Sequence, residues 1–144
     1  MIKALLALIA AALFAGAALY VSLAEHPARM RLDPGAALAQ WKASYARAAP
    51  MQAGLATLSL ILGAWAWWKI GDAWLLAGAL LVGVNVPLTL AVILPITHRL
   101  KAQTADSAGE EIRTLLGRWG RLHALRTLFG LAAVAAFFAA FAHP

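Results

Sequence analysis

Four long apolar stretches dominate the chain, at residues 4–24, 51–68, 73–98 and 127–144, and none contains Asp, Glu, Lys or Arg. An α-helix needs about 20 apolar residues to cross a hydrocarbon core of roughly 30 Å. The pattern therefore predicts an all-α fold, namely an integral membrane four-helix bundle in one transmembrane domain over residues 1–144. The expected membrane spans cover about residues 4–24, 51–69, 73–98 and 121–142.

Loop 1 joins the first two spans over residues 25–50 and has its own helical signal. Asp33 followed by Pro34 is typical of a helix start, because Asp caps free amide groups and proline is tolerated in the first turn. A short helix is therefore predicted over residues 35–48. Pro50 is expected to end this helix before the second span begins.

Loop 3, residues 99–126, also predicts a helix, because its apolar positions Ile112, Leu115, Leu116 and Trp119 recur at helical spacing. This helix is expected either to lie at the membrane interface or to continue into the fourth span. Gly117 and Gly120 are the expected break points. Loop 2, residues 69–72, is short enough to join spans two and three in an antiparallel hairpin.

Composition supports the membrane assignment. Hydrophobic residues make up 63% of the chain and charged residues 12%, against about 45–50% and 25% in a typical soluble domain. The chain has no cysteine, so disulfides, thiolate metal sites and cysteine nucleophiles are excluded. Its net charge of +6 is interpreted as attraction to anionic lipid headgroups and not as nucleic-acid binding.

The charge distribution also predicts an orientation. Ten of the 12 Lys and Arg residues lie in loops 1 and 3, whereas Lys3 and Lys69 lie on the opposite side. The positive-inside rule therefore places loops 1 and 3 in the cytoplasm and both termini outside a bacterial inner membrane. The first apolar stretch is longer than the core of a signal peptide, so it is interpreted as a retained transmembrane helix.

Asn85 is the deepest polar residue of the predicted spans, near the membrane midplane. Polar side chains at this depth are costly and usually face the interior of a bundle. Pro87 follows two residues later and removes a helical hydrogen bond, so a bend is expected here, helped by Gly83. Two interpretations remain open: the bend faces a cavity, or the Asn85 amide is hydrogen-bonded to a neighbouring helix.

Histidines at the cytoplasmic ends of the spans supply candidate chemistry. His26, His98 and His123 are expected at a similar depth, and Trp119, His123 and Arg126 share one helical face. A metal site made of the three histidines is the alternative to a metal-free site, because imidazole suits zinc, copper or iron. Two orientations of Arg126 are considered: its side chain points outward to the interface, or it points into the bundle.

These residues together predict a pocket with a polar end and aromatic walls. His26, Asn85, His123 and Arg126 are the candidate polar and catalytic residues of the interior. Trp41 and Tyr45 in loop 1 are expected to cover the pocket.

Several segments resemble the anthrone oxygenase-like family of small four-helix membrane proteins. The resemblance is carried by Phe14-Ala15-Gly16-Ala17-Ala18-Leu19-Tyr20, Glu25-His26-Pro27-Ala28-Arg29, Trp41, Tyr45, Arg47, Pro50, Asn85-Val86-Pro87-Leu88-Thr89, Pro95, and the face formed by Trp119, His123 and Arg126. It spans nearly the whole chain. It implies the same fold and the oxidation of polyketide anthrones to anthraquinones by dioxygen without an obvious cofactor.

The resemblance also suggests roles for the candidate residues. His26 or His123 is expected to act as the base that deprotonates the acidic methylene of an anthrone. Asn85 or Arg126 is expected to hydrogen-bond the enolate oxygen. The expected substrate-binding residues are Trp41, Tyr45, Trp119 and Arg29.

Two functions of different classes follow. The first is an oxygenase-like membrane enzyme acting on a hydrophobic aromatic substrate, with no cofactor predicted. The second is a non-enzymatic membrane protein that binds a small hydrophobic ligand, haem or metal, or serves as a partner subunit. The expected partners are the lipid bilayer, a hydrophobic aromatic small molecule and further copies of the chain in a homo-oligomer.

Overall fold

The protein is a bundle of four long α-helices, seen in a computed structural model that describes residues 1–142. Within that range no strand is present. The helices are α1 (Ile2–Arg29), α2 (Pro34–Ile70), α3 (Ala73–Ala102) and α4 (Gly109–Ala142). Each is long and apolar enough to cross a membrane, so the predicted all-α, multi-pass membrane fold is confirmed.

The helices are arranged in a ring, in which α1 and α3 each pack against both α2 and α4. One end, called here the hairpin end, contains the turn from α2 to α3. Gly71 makes this turn with a left-handed backbone (φ 79°), which glycine adopts without steric cost. The other end, called the polar end, contains the α1–α2 and α3–α4 connections.

The prediction of a separate helix in loop 1 is wrong. Asp33 and Pro34 do start a helix, but it continues through Pro50 and becomes the second span, α2. A proline inside a helix removes one hydrogen bond and costs about 3 kcal/mol. That cost is offset because Trp41 before Pro50 and Ala56 after it are both buried in the bundle.

Of the two possibilities for loop 3, continuation into the fourth span is the one found. Helix α4 passes Gly117 and Gly120 without a break. Gly120 has a packing role instead, because a Cβ atom there would overlap the imidazole of His26. With 37 residues in α2 and 34 in α4, both helices exceed the hydrocarbon core by roughly 20 Å.

Helix α3 is interrupted where the bend was predicted. Its first α-helical segment ends at Gly83, and a turn at Val84 precedes Asn85. A π-helical turn follows at Thr89–Ile93, and α1 has another at Val21–Glu25. Such turns change the direction of side chains and are frequent at functional sites.

The hairpin end is packed through small residues. The ring of Phe137 lies so close to α2 and α3 that a Cβ atom on Gly63 or Gly78 would approach it to within 2.6 or 2.7 Å. Ser59 adds one interhelical bond by donating to the Ala7 carbonyl over 2.9 Å. Close backbone approach of this kind is how membrane helices associate when lipid offers equal hydrophobicity.

Candidate functional site

Two adjoining cavities lie between the middle of the bundle and its polar end. The inner cavity has a volume of about 20 Å³, which is space for about one water-sized molecule. The outer cavity has a volume of about 360 Å³ and lies between α2 and α3. Tyr45, Ala49 and Arg126 line both cavities, so these residues form their common boundary.

Aromatic rings form one wall of the inner cavity. Tyr45 stacks on Trp41 with ring centroids 5.0 Å apart, and His123 stacks on Trp119 at 4.9 Å. The two indoles meet edge to face at 5.8 Å. Helices α2 and α4 present these rings to each other because each pair is spaced four residues apart, on one helical face. The wall predicted from loop 1 and the Trp119 face is therefore assembled.

His123 is held by two hydroxyl groups that the sequence analysis did not include. Ser22 Oγ lies 3.2 Å from His123 Nδ1 and 2.9 Å from Thr127 Oγ1. The Thr127 hydroxyl also donates to the backbone carbonyl of His123 over 3.0 Å. These three contacts form a short chain on one side of the imidazole.

Counting protons in this chain indicates which ring nitrogen is free. A hydroxyl has one proton, and that of Thr127 is used by the His123 carbonyl. Ser22 must then donate to Thr127 Oγ1 and accept from His123 Nδ1 if all three contacts are hydrogen bonds. In this arrangement Nδ1 of the neutral ring carries the proton, and Nε2 is the unprotonated nitrogen of a side chain that lines the inner cavity.

His26 is placed differently. Its ring lies on Trp119, with centroids 5.8 Å apart, and it lines neither cavity. Its Nδ1 is buried without a hydrogen-bond partner in the described part of the chain. The two histidines suggested as the base are therefore both in contact with the Trp119 indole, but only His123 borders a cavity, namely the inner one.

Arg29 lines the inner cavity and is almost fully buried, with 2% of its surface exposed. Its Nη2 donates to Glu25 Oε1 over 2.8 Å, and its Nε donates to Gln40. Gln40 in turn donates to the same Glu25 oxygen over 2.9 Å. Nη1 has no partner within residues 1–142, so one N–H pair of this guanidinium stays available.

Arg126 contributes a second positive charge, on the boundary between the cavities. Its guanidinium carbon lies 5.4 Å from the centre of the Phe14 ring. Its Nε is buried and makes no hydrogen bond to any described residue. Of the two directions considered for Arg126, the inward one is found, since only 9% of the residue is exposed.

Asn85 lines the outer cavity and does not bond to a neighbouring helix. Its Nδ2 donates to the carbonyls of Val82, at 3.1 Å, and Leu81, at 3.4 Å, in its own helix. Its Oδ1 is buried and has no partner among residues 1–142. An unsatisfied acceptor in this position costs about 1–3 kcal/mol, so the site is incomplete without a ligand or water.

The three-histidine metal site is not assembled. His98 is exposed on α3, whereas His26 and His123 are packed against Trp119. No group of three or more His, Asp or Glu side chains close enough to hold a metal ion occurs within residues 1–142. His98 does not join the two histidines at Trp119, because its side chain is exposed and not inside the bundle.

Comparison with known proteins gives one match. The sequence profile of the anthrone oxygenase family matches residues 41–136, which is two thirds of the chain. The chain belongs to the anthrone oxygenase family. No curated protein and no solved structure matches it.

The family match begins at Trp41 and includes the aromatic wall, Asn85, His123 and Arg126. Helix α1, which carries Ser22, His26 and Arg29, lies before the matched region. The anthrone oxygenase profile therefore covers the cavity residues of α2, α3 and α4, and α1 adds Ser22, whose hydroxyl contacts His123 Nδ1.

Among the polar residues of the site that sequence reasoning missed are Ser22, Gln52 and Thr127. Gln52 is buried and lines the inner cavity. Its signal was available, because a glutamine inside an apolar stretch is costly unless it faces the interior. Ser22 and Thr127 gave no such signal, since hydroxyl groups often bond within their own helix.

Proposed function

We propose that the protein is a membrane-embedded, anthrone oxygenase-like enzyme that oxidises a hydrophobic aromatic substrate with dioxygen. The observation that carries the proposal is the placement of His123. The Ser22–Thr127 chain leaves its Nε2 without a proton. The His123 side chain lines the inner cavity together with two indole rings and two arginines. A base, a cation and aromatic surfaces are the groups that deprotonation of an anthrone requires.

The reaction balances without an external reductant. His123 Nε2 removes one proton from the methylene carbon of the substrate, and the resulting carbanion is delocalised into an enolate. This carbanion reduces dioxygen, and a carbon–oxygen bond forms. The protonated His123 returns its proton to the peroxide anion, and the hydroperoxide then loses water as the O–O bond breaks and the second methylene hydrogen leaves as a proton. One CH2 group and one O2 become one C=O group and one H2O, so the substrate supplies all the electrons.

The cations and the amide provide support for the charged form of the substrate. Arg126 lines both cavities, and its guanidinium is proposed to donate a hydrogen bond to an enolate oxygen at their boundary. Arg29, although paired with Glu25, offers Nη1 at the far side of the inner cavity. Such preorganised donors lower the barrier by several kcal/mol when they act on developing negative charge in a dry site.

The remaining groups hold the substrate. Tyr45, which borders both cavities, is proposed to contact the aromatic rings of a substrate in the outer cavity, and Asn85 to accept a hydrogen bond from one of its hydroxyl groups. Trp41 and Trp119 are proposed to support Tyr45 from the side of the inner cavity, which is too small for the rings. His26 is proposed as a support for the Trp119 ring and not as the base, because it borders neither cavity. No cofactor is required by this scheme.

We place the polar end on the cytoplasmic side of a bacterial inner membrane. The ten basic residues of the α1–α2 and α3–α4 regions support this orientation through the positive-inside rule. A homo-oligomer is compatible with the scheme, because each chain contains a complete set of proposed residues.

The proposal is tested with anthrone and protein purified into lipid vesicles. Anthraquinone formation is followed by absorbance under air and under argon, and spontaneous oxidation is subtracted with protein-free vesicles. With ¹⁸O₂ as the gas, the new carbonyl is expected to carry the label before exchange with water. A rate no higher than that of protein-free vesicles, for anthrone and for hydroxylated anthrones, would refute the enzymatic function.

The non-enzymatic function remains as a second candidate because of one observation. The outer cavity has unsatisfied polar atoms, Asn85 Oδ1 and Arg126 Nε, and these would serve a ligand-binding protein equally well. Tight binding of an aromatic ligand together with no oxidation above background would assign the protein to that class.

A further inference from the structure

We propose that the outer cavity opens sideways into the bilayer between α2 and α3, and that its ligand enters there as a flat phenolic ketone dissolved in the lipid. The identification of the ligand as a phenolic ketone rests on the proposed function and makes it more specific. The lateral opening stands on the position of the cavity alone.

The mouth of the outer cavity is made of side chains that face outward at the depth of the bilayer. Ala53 and Thr57 of α2 and Val86 and Leu90 of α3 line the cavity and are exposed on the bundle surface. All four belong to apolar stretches without a single charged residue. Surface positions of this kind face hydrocarbon and not water.

The gap has a local cause in both helices. Towards the hairpin end, α2 and α3 close on Phe137, where no side chain beyond glycine fits at Gly63 or Gly78. Towards the polar end, Pro50 removes one backbone hydrogen bond from α2, and α3 changes to a turn and then to a π-helical turn. Alanines at positions 49, 53 and 56 leave the space between the helices unfilled.

The polar atoms of the cavity select the ligand. Arg126 and Asn85 line the cavity, and the Arg126 Nε donor and the Asn85 Oδ1 acceptor are buried without a partner in the described residues. A lipid acyl chain in the cavity would leave both unsatisfied, at a cost of about 1–3 kcal/mol each. A flat molecule with a carbonyl or phenolate oxygen and one hydroxyl group satisfies both and packs on the Tyr45 ring.

The test uses 2-hydroxyanthraquinone, which carries both groups, has its hydroxyl too far from the carbonyl for an internal hydrogen bond, and is not oxidised further by the proposed reaction. Protein in phosphatidylcholine vesicles is mixed with vesicles preloaded with this probe, and quenching of tryptophan fluorescence gives association and dissociation rates. The variants are Ala53→Phe and Thr57→Phe, which narrow the mouth. Ala12→Phe is the matched control, because Ala12 is exposed on α1 and lines no cavity.

A narrowed mouth is expected to slow both entry and exit of the probe by about tenfold, with the control unchanged. A ring that merely filled the binding site would accelerate exit, so unchanged or faster dissociation in both variants would overturn the lateral opening. Unaltered affinity for the probe in Arg126→Gln and Asn85→Leu would overturn the phenolic ketone as occupant.

These outcomes are independent of catalysis. The probe is bound and released but not turned over. If the mouth variants slow its exchange but anthrone is not oxidised, the proposed function is refuted and the lateral opening remains. If anthrone is oxidised but the narrowed mouth does not slow the probe, the lateral opening is refuted and the proposed function remains.

Discussion

The hairpin end and the polar end of the bundle are built on opposite principles. At the hairpin end, helices meet through glycine, alanine and Phe137, and among the described residues no charged side chain is buried there. At the polar end, Arg29, His123 and Arg126 are buried, and Arg29 Nη1 and Arg126 Nε have no partner among the described residues. One end is optimised for helix association, whereas the other retains costly polar groups whose best explanation is a ligand.

The largest expected effect is at the polar end. In His123→Asn the amide nitrogen still reaches the Ser22 hydroxyl, but no basic nitrogen borders the cavity. We expect the rate of anthrone oxidation to fall by at least about 100-fold, which is the usual contribution of a general base. Absorbance assays in vesicles measure the rate, and circular dichroism measures the fold.

His26→Ala is the control for the proposed base. It removes the other imidazole at Trp119 but no group that borders a cavity, so most of the activity is expected to remain. Equal losses in the two variants would make His26 and His123 equivalent and contradict the assignment of His123 as the base.

A change at the hairpin end is expected to affect stability and not chemistry. In Gly78→Leu the new side chain overlaps the ring of Phe137, because a Cβ atom alone would come within 2.7 Å of it. Overpacking of this kind costs about 1–3 kcal/mol. Unfolding in mixed micelles measures the loss, and the activity per folded molecule is expected to match that of the unmodified protein.

Gly16→Leu is the matched control, since no atom lies within 4 Å of a Cβ placed at Gly16. It introduces the same side chain at a position with open space. A similar loss of stability in both variants would show that packing against Phe137 is not what holds the hairpin end together.

Asn85→Leu separates a cavity residue from a packing residue. The amide makes no bond to another helix, and its oxygen is unsatisfied, so the fold is expected to be retained. We expect the KM for a hydroxylated anthrone to rise about tenfold, which corresponds to one lost hydrogen bond to the substrate. Loss of folded protein would instead assign Asn85 to structure.

The smallest effect is expected from Ser22→Ala, which removes the acceptor for His123 Nδ1–H. The proton is then no longer fixed on Nδ1, and we expect a decrease in activity of about threefold to tenfold, in the range of one neutral hydrogen bond. The direct measurement is ¹⁵N NMR of labelled histidine. A His123 signal already protonated at Nε2 in the unmodified protein would contradict the proton count, whatever the activity.

The sequence predicted contacts within one helix better than contacts between helices. Spacing gave Trp41 with Tyr45 and Trp119 with His123 because residues four apart share a helical face. The inward orientation of Arg126 and the choice between His26 and His123 depend on contacts between helices that are distant in the chain. His98 shows the limit, since a position at the right depth did not place its side chain inside the bundle.

By itself the sequence determined that this chain crosses a membrane four times, because uncharged stretches of 18 or more residues have no other way to avoid water. It also determined the residue types available for chemistry. Tertiary structure decided that Pro50 lies inside a helix, that Ser22 and Thr127 orient His123, and that a cavity separates α2 from α3. These features arise from packing between helices, where a few small side chains decide whether two backbones touch or part.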